Sequence, residues 1–325
     1  MRIGLIDVDA ESRGKVTFPN LALMKLSAWH KAKGDHVEWY SPLLSGRMDV
    51  VYMSRVFGDE YTKDYPFAIH ADRIVKGGSG YAISIRNGRE CYCKARDPDL
   101  PEEVESMRPD YSIYESYCGS ETAYGYLTKG CPRGCPRGCP FCHVAAMQGK
   151  QVRTVAHLQD FWCGQKYIKL LDPNLTASAD WQMHSKALAD SKAYVDFTQG
   201  LDVRLMTKEK IDVLNDGIRW STIHFAWDDP NQDLRKHFER VVQHLRGVRR
   251  QTVSAYVLTN FGSTHAQDIE RVMFLKDLNI QPYVMIYRKE TAPIQTRKLQ
   301  RYVNSPMIFW SVPSFSDYQK GEINR

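Results

Sequence analysis

The stretch Ala123-Tyr124-Gly125-Tyr126-Leu127-Thr128-Lys129-Gly130-Cys131-Pro132-Arg133-Gly134-Cys135-Pro136-Arg137-Gly138-Cys139-Pro140-Phe141-Cys142 joins two unlike pieces of chain. Residues 123–128 are apolar and β-prone and predict a strand. The loop that leaves it holds four of the chain's eight cysteines, Cys131, Cys135, Cys139 and Cys142, within twelve residues. Its glycines and prolines let it turn tightly with no long side chain in the way. Three thiolates from one short loop can converge on a metal centre. A cluster of four irons held by three cysteines leaves one iron open, and an open position is where catalytic metal sites do their chemistry.

Working outward, the strand is the first of a series. Apolar runs at 123–128, 167–171, 194–197, 222–226, 253–259 and 283–287 alternate with helical patterns. The clearest helix sets Leu234, Phe238, Val241, Val242 and Leu245 on one face and Arg235, Lys236, Arg240 and Arg246 around the rest. Six strand–helix units predict an incomplete (β/α) barrel with its site at the carboxyl ends of the strands. Upstream, an apolar run at 3–8, a helix over 21–33 closed by Gly34, and strands at 36–40, 50–53 and 73–75 predict a small doubly wound α/β domain with a parallel sheet. The last of these strands runs into Gly77-Gly78-Ser79-Gly80, where backbone can approach a ligand or a neighbouring strand closely. Strands at 83–86 and 89–94 then flank Asn87-Gly88, the pair a type I′ turn prefers, so a hairpin is expected. Residues 97–120, broken by three prolines, read as a connector. The expected organisation is α/β throughout: one domain over 1–115 with a hairpin insertion at 81–95, the barrel over 116–310 and a tail over 311–325.

With 325 residues, 43% of them hydrophobic and 25% charged, the chain is large enough for two compact units and outside the disordered and collagen-like classes. Lys plus Arg exceed Asp plus Glu by 44 to 38, a net charge of +6, which permits an anionic partner without demanding one. Asp7 ends the first apolar run too soon for a signal peptide, and no window approaches the roughly 18 apolar residues of a membrane span. The expectation is a cytoplasmic protein with no membrane partner. Thiols stay reduced in that compartment, which favours a metal site over a disulfide framework.

Cys135-x3-Cys139-x2-Cys142, with Phe141 just before the last cysteine, resembles the signature of the radical S-adenosylmethionine (radical SAM) superfamily. Cys131-Pro132-Arg133-Gly134 reads as a small duplication of Cys135-Pro136-Arg137-Gly138; it leaves Cys131 idle, a ligand in another register, or a resolving thiol. The resemblance implies a partial (β/α)6 TIM barrel with its cluster loop after the first strand, the architecture that the alternation also predicts. The unit before it resembles the Rossmann-like, cobalamin-binding-type domain that precedes this barrel in a large subgroup. The Asp-x-His-x-x-Gly segment that ligates cobalamin is missing, since the first βα loop reads Asp7-Val8-Asp9-Ala10-Glu11-Ser12-Arg13-Gly14, which argues against cobalamin.

For function, the resemblance implies that Cys135, Cys139 and Cys142 bind a 4Fe-4S cluster whose open iron S-adenosylmethionine chelates. An electron from the reduced cluster then yields methionine and a 5′-deoxyadenosyl radical that abstracts hydrogen from a substrate. A low-potential donor such as flavodoxin or ferredoxin would supply the electron. The family commonly places groups for the cofactor's amino end after the second strand, here Asp172 and Asn174. Gln199, Asp202 and Arg204 follow the third strand, with Asp202 for the ribose hydroxyls and Arg204 for the carboxylate, and Asn260 ends the fifth. Trp227, Asp228, Tyr287 and Arg288 hold similar places on the fourth and sixth, nearer a substrate. The implied activity is that of an oxidoreductase or transferase with an unnamed substrate. The run Gly125-Tyr126-Leu127-Thr128-Lys129-Gly130-Cys131 is similar to methylthiotransferases that act on tRNA, making RNA a possible partner. Against this, no second set of three cysteines precedes it and no RNA-binding domain follows residue 310.

A different class stays open at this point: a non-catalytic zinc or iron–sulfur module, including a nucleic-acid adaptor, in which all four cysteines hold metal. Structural zinc sites usually pair two separated Cys-x2-4-Cys knuckles, and no second knuckle is present. Cys91 and Cys93 share one face of a strand and read as half-buried packing residues; Cys118 and Cys163 read as small apolar ones. His143, and His237 with His244, read as packing or surface histidines. Asp228-Asp229-Pro230 fits a helix start as well as a catalytic pair, and the basic helix over 234–250 fits a solvated face as well as an RNA contact.

Overall fold

The computed structural model describes residues 1–16, 18–119, 121–133 and 139–323. Its strands form two parallel sheets, of four and six strands, and two antiparallel ribbons, so the chain is a mixed α/β protein. Two compact units are present. Met1–Gly125, Gly130–Gln151 and Ala156–Ile168 make the first; Tyr126–Lys129, Val152–Val155 and Lys169–Arg325 make the second.

In the first unit, β1 (Arg2–Asp7), β2 (His36–Trp39), β3 (Met48–Ser54) and β4 (Ala71–Gly77) lie in the order β2-β1-β3-β4, all parallel. β1 is apolar on both faces, as a central parallel strand must be. Ile3 and Leu5 pack with Leu23 and Leu26 of the helix Leu21–Ala32, while Ile6 packs with Tyr40, Val51 and Met53. Each such side chain contributes about 1.5–3 kcal/mol when fully buried. The Asn20 side chain caps the helix by accepting from the Leu23 amide at 3.3 Å. Gly78 has φ +94°, and a Cβ there would stand 2.4 Å from the Arg55 carbonyl oxygen, so this turn closes on the chain leaving β3.

The segment 97–120 does more than connect. Two of its short helical turns, Glu102–Glu105 and Tyr111–Tyr114, bury Val104 and Tyr114, and the Tyr114 hydroxyl donates to Asp7 Oδ2 at 2.7 Å. The prolines had masked any apolar period there. The hairpin forms as β5 (Ile83–Arg86) and β6 (Arg89–Tyr92), with Asn87 and Gly88 both at positive φ as a type I′ turn requires.

The larger sheet contains β7 (Thr122–Gly125) and, after the ribbon of β8 (Thr128–Lys129) with β9 (Arg153–Thr154), β10 (Tyr167–Leu170), β11 (Tyr194–Phe197), β12 (Trp220–Ala226), β13 (Val253–Thr259) and β14 (Gln281–Ile286). Their order is β14-β13-β12-β11-β10-β7. Sequential parallel neighbours need crossovers, and the helices Trp181–Ser191, Lys208–Asp216, Arg235–His244 and His265–Asp277 provide them from β10 onward. The expected first strand, 123–128, is cut short: the chain leaves the sheet after Gly125 and re-pairs as β8. The basic helix is also shorter than its pattern, running over Arg235–His244.

Along β11 to β14, Val195, Phe197, Ile223, Phe225, Val253, Ala255, Val257 and Val284 are buried, and the Phe225 ring meets Phe238 of the helix edge to face at 5.9 Å. The alternate positions, Asp196, Thr222, His224, Ser254 and Tyr256, are half-buried on the opposite face. Residues 315–323 form a helix whose Phe315 is buried and contacts Tyr302. Among the described residues no helix is long and apolar enough to cross a membrane.

Candidate metal and cofactor site

The approach to the cysteine loop is built tightly. Gly130 has φ +98°, and a Cβ there would lie 2.0 Å from the Gln151 carbonyl oxygen, so only glycine fits. Its amide donates to Gln148 Oε1 at 3.1 Å, and the Cys131 amide donates to the Gly149 carbonyl at 3.1 Å. Cys139 and Cys142 lie in one turn, closed by the Cys142 amide on the Cys139 carbonyl at 3.0 Å. Cys142 is exposed, and Cys131 and Cys139 are half-buried. Cys135 lies outside the described residues, and among the described residues no group of three or more His, Cys, Asp or Glu side chains is placed to hold a metal ion.

His143 follows this turn and starts the helix Val144–Gln148. Its Nε2 lies 3.3 Å from Glu90 Oε2 and its ring lies against Tyr92, so β6 holds the end of the cysteine segment. That partnership was not visible in sequence, where Glu90 and His143 stand 53 residues apart. Cys91 and Cys93 are half-buried on the same hairpin.

In the second unit Asp172 follows β10 and is 4% exposed. It accepts from the Leu127 amide at 3.1 Å, the Thr128 amide at 2.5 Å and the Thr128 hydroxyl at 2.6 Å. Burial nevertheless pushes its carboxyl up to about 6. These bonds account for the break between β7 and β8, because the two amides turn to Asp172 in place of a neighbouring strand. Asn174 is fully buried; its Oδ1 accepts from the Thr176 hydroxyl at 2.8 Å, and the same hydroxyl accepts from the Asp202 amide at 3.1 Å. Asp202 and Arg204 meet each other: Oδ1 accepts from Nε at 2.9 Å and Oδ2 from a terminal nitrogen at 2.7 Å, a bidentate pair. Asn174, Thr176, Asp202 and Arg204 thus form one linked group after β10 and β11. Gln199 is exposed in the turn after β11, with no hydrogen-bond partner among the described residues.

Asn260 adopts φ +61° after β13 and donates to the Tyr287 carbonyl at 2.7 Å, tying the ends of β13 and β14. Trp227 turns into the core, 2% exposed and stacked on Phe238, instead of toward a ligand. Arg271, which the sequence reading passed over, is 3% exposed, pairs with Asp268 at 2.6 Å and donates to the carbonyls of Trp227 and Leu258. Its spacing of three residues from Asp268 on one helix was the available signal. Asp229 accepts from the Asn231 amide at 2.9 Å, so this aspartate closes a turn. No family model matches the chain, and no curated protein matches it.

Proposed function

We propose that the chain is a radical SAM enzyme, with Cys135, Cys139 and Cys142 holding a 4Fe-4S cluster. The observation that carries this reading is the Cys-x3-Cys-x2-Cys spacing between β8 and β9, in the connection that follows the first of six parallel strands that alternate with helices. The donor set suits iron, since Cys139 and Cys142 share one turn and neither thiol is sealed from solvent. When bound, the cluster supplies the electron that cleaves S-adenosylmethionine to methionine and a 5′-deoxyadenosyl radical. On this reading the six-stranded sheet is a partial (β/α)6 barrel and the four-stranded sheet a Rossmann-like domain. The protein is cytoplasmic and takes its electron from flavodoxin or ferredoxin.

Of the strand-end groups, Gln199 has its side chain at liberty for the cofactor. Asp172 acts as a positioning residue through the 127–128 turn, and Asn174, Asp202, Arg204 and Asn260 fix the shape of the strand ends. The crevice after β1 and β3, where doubly wound sheets take ligands, is occupied by the chain itself. Asp9 accepts from the Val56 amide at 2.6 Å and the Thr62 hydroxyl at 2.6 Å, and Arg55 reaches the Gly80 carbonyl at 2.9 Å. That filling supports a domain working without cobalamin.

The test is anaerobic reconstitution with iron and sulfide, followed by reduction with S-adenosylmethionine. Wild-type protein should form 5′-deoxyadenosine. Cys135→Ala should abolish cluster absorbance while Cys131→Ala keeps most of it. Zinc without iron in the purified protein, or equal loss in both variants, would overturn the reading.

A further inference from the structure

We propose that β4, the open edge of the four-stranded sheet, pairs antiparallel with β4 of a second copy of this chain, so that the two sheets join across a two-fold axis. β4 is bonded on one side only, to β3. The Met48 amide donates to the His70 carbonyl at 2.9 Å, and the parallel register that follows turns the backbone groups of Asp72, Ile74 and Lys76 toward β3. The N–H and C=O groups of Ala71, Arg73 and Val75 therefore face outward, and among the described residues none bonds to them. Asp72, Arg73, Ile74 and Lys76 are exposed, Ile74 to 45%.

Such an edge accepts a further strand unless something guards it. The outer strand of the larger sheet is guarded: the Val284 amide of β14 donates to Asn304 Oδ1 at 2.8 Å, and its carbonyl accepts from Asn304 Nδ2 at 3.0 Å and Gln300 Nε2 at 3.1 Å. The opposite edge of the four-stranded sheet, β2, is only four residues long. β4 runs for seven residues with no proline and no shift of register, so only its charges stand against a partner. In one register those charges attract. With the axis through Ile74, Asp72 of each copy faces Lys76 of the other, Ile74 faces its own counterpart, and Arg73 and Val75 exchange both backbone hydrogen bonds. Asp72, Ile74 and Lys76 share one face of the strand and occupy the close, non-hydrogen-bonded positions. An axis through Arg73 sets two arginines face to face, and one through Val75 sets Ile74 against Lys76, so a single register is favoured. Within its own chain Asp72 meets Arg47 through Oδ1 alone, which leaves Oδ2 for the second copy. Lys76 gives one of its three hydrogens to Asp64 at 2.7 Å.

The pairing uses residues of the first unit and does not rest on the iron–sulfur reading. A strand of this length covers less surface than a standard interface, so the dimer is a weak one. Sedimentation equilibrium of the full chain from about 1 to about 100 µM should show a monomer at the low end and a dimer at the high end. Asp72→Lys and Lys76→Asp each set like charges opposite one another at both symmetric contacts, and each should weaken the dimer about 10-fold. The double swap Asp72→Lys/Lys76→Asp puts opposite charges back and should return the dimer to within about 3-fold of wild type. These swaps disturb only exposed pairs within the chain, so the variants should fold. Arg73→Pro removes an outward N–H, leaves the β3 ladder intact and should sediment as a monomer, which keeps the test sound if a charge variant does not fold. A monomer at every concentration, wild-type dimerisation by Arg73→Pro or by either single swap, or a double swap no tighter than the singles would overturn the proposal.

Discussion

Asp172 receives two backbone amides and a hydroxyl on a carboxylate that water hardly reaches. Burial pushes its pKa from 3.8 up to about 6, so between those values the folded chain holds this proton more tightly than the unfolded chain does. Its contribution to stability is therefore greatest at low pH, falls as pH rises through that window and levels off above it. Asp172→Asn should remove that slope. It should also cost about 1–3 kcal/mol at neutral pH, because the new amide turns a donor toward donors at Leu127 or Thr128 and leaves one buried N–H unmet. Urea unfolding at several pH values from 4 to 7 reads both effects: parallel curves for variant and wild type would refute the first, and equal stability at pH 7 the second. The sequence marked Asp172, Asn174, Asp202, Arg204 and Asn260 as polar groups at strand ends, and they stand there. Their partners were not legible, because a backbone N–H has no letter in the sequence and Asp202 pairs with Arg204 only once the turn brings them face to face.

At the scale of elements, periodicity and turn chemistry carried far: the strands of both parallel sheets and the hairpin at Asn87-Gly88 all lie where the pattern set them, within a few residues. What it missed were strand ends decided by one distant side chain, as at β7, and a segment whose anchors, Val104 and Tyr114, are too sparse to show a period. The hairpin's contact with the cysteine segment belongs here too. Glu90 and Tyr92 project from one face of β6 onto His143, and Tyr92 is itself held by Asp97 at 2.8 Å. Glu90→Ala should free the His143 ring and raise amide hydrogen exchange through Val144–Gln148. The global unfolding midpoint should hardly move, since a partly exposed pair contributes under about 1 kcal/mol. Unchanged exchange in that helix would mean that the hairpin does not steady the cysteine segment.

For the whole molecule, the chain does not fill one unit before it enters the other. The chain passes between them five times from Gly125 to Lys169, and β8 and β9, which belong to the second unit, bracket the cysteine segment Gly130–Gln151 of the first. Such crossings leave no trace in a one-dimensional pattern, because they depend on which short pieces pair. The pairing of β8 with β9 sets the spacing of the chain at Lys129 and Arg153, on either side of that segment. Phe238 is fully buried among Phe225 and Trp227, and Phe238→Ala should cost about 3–5 kcal/mol. If β8 and β9 are then released with the second unit, both ends of Gly130–Gln151 lose their fixed spacing. Hydrogen exchange in Phe238→Ala should therefore rise at the Gly130 and Cys131 amides together with Thr128–Lys129, while β1 and β3 keep their protection. Loss of protection confined to residues 169–325, with Gly130 and Cys131 exchanging as in wild type, would show that the cysteine segment is steadied by the first unit alone.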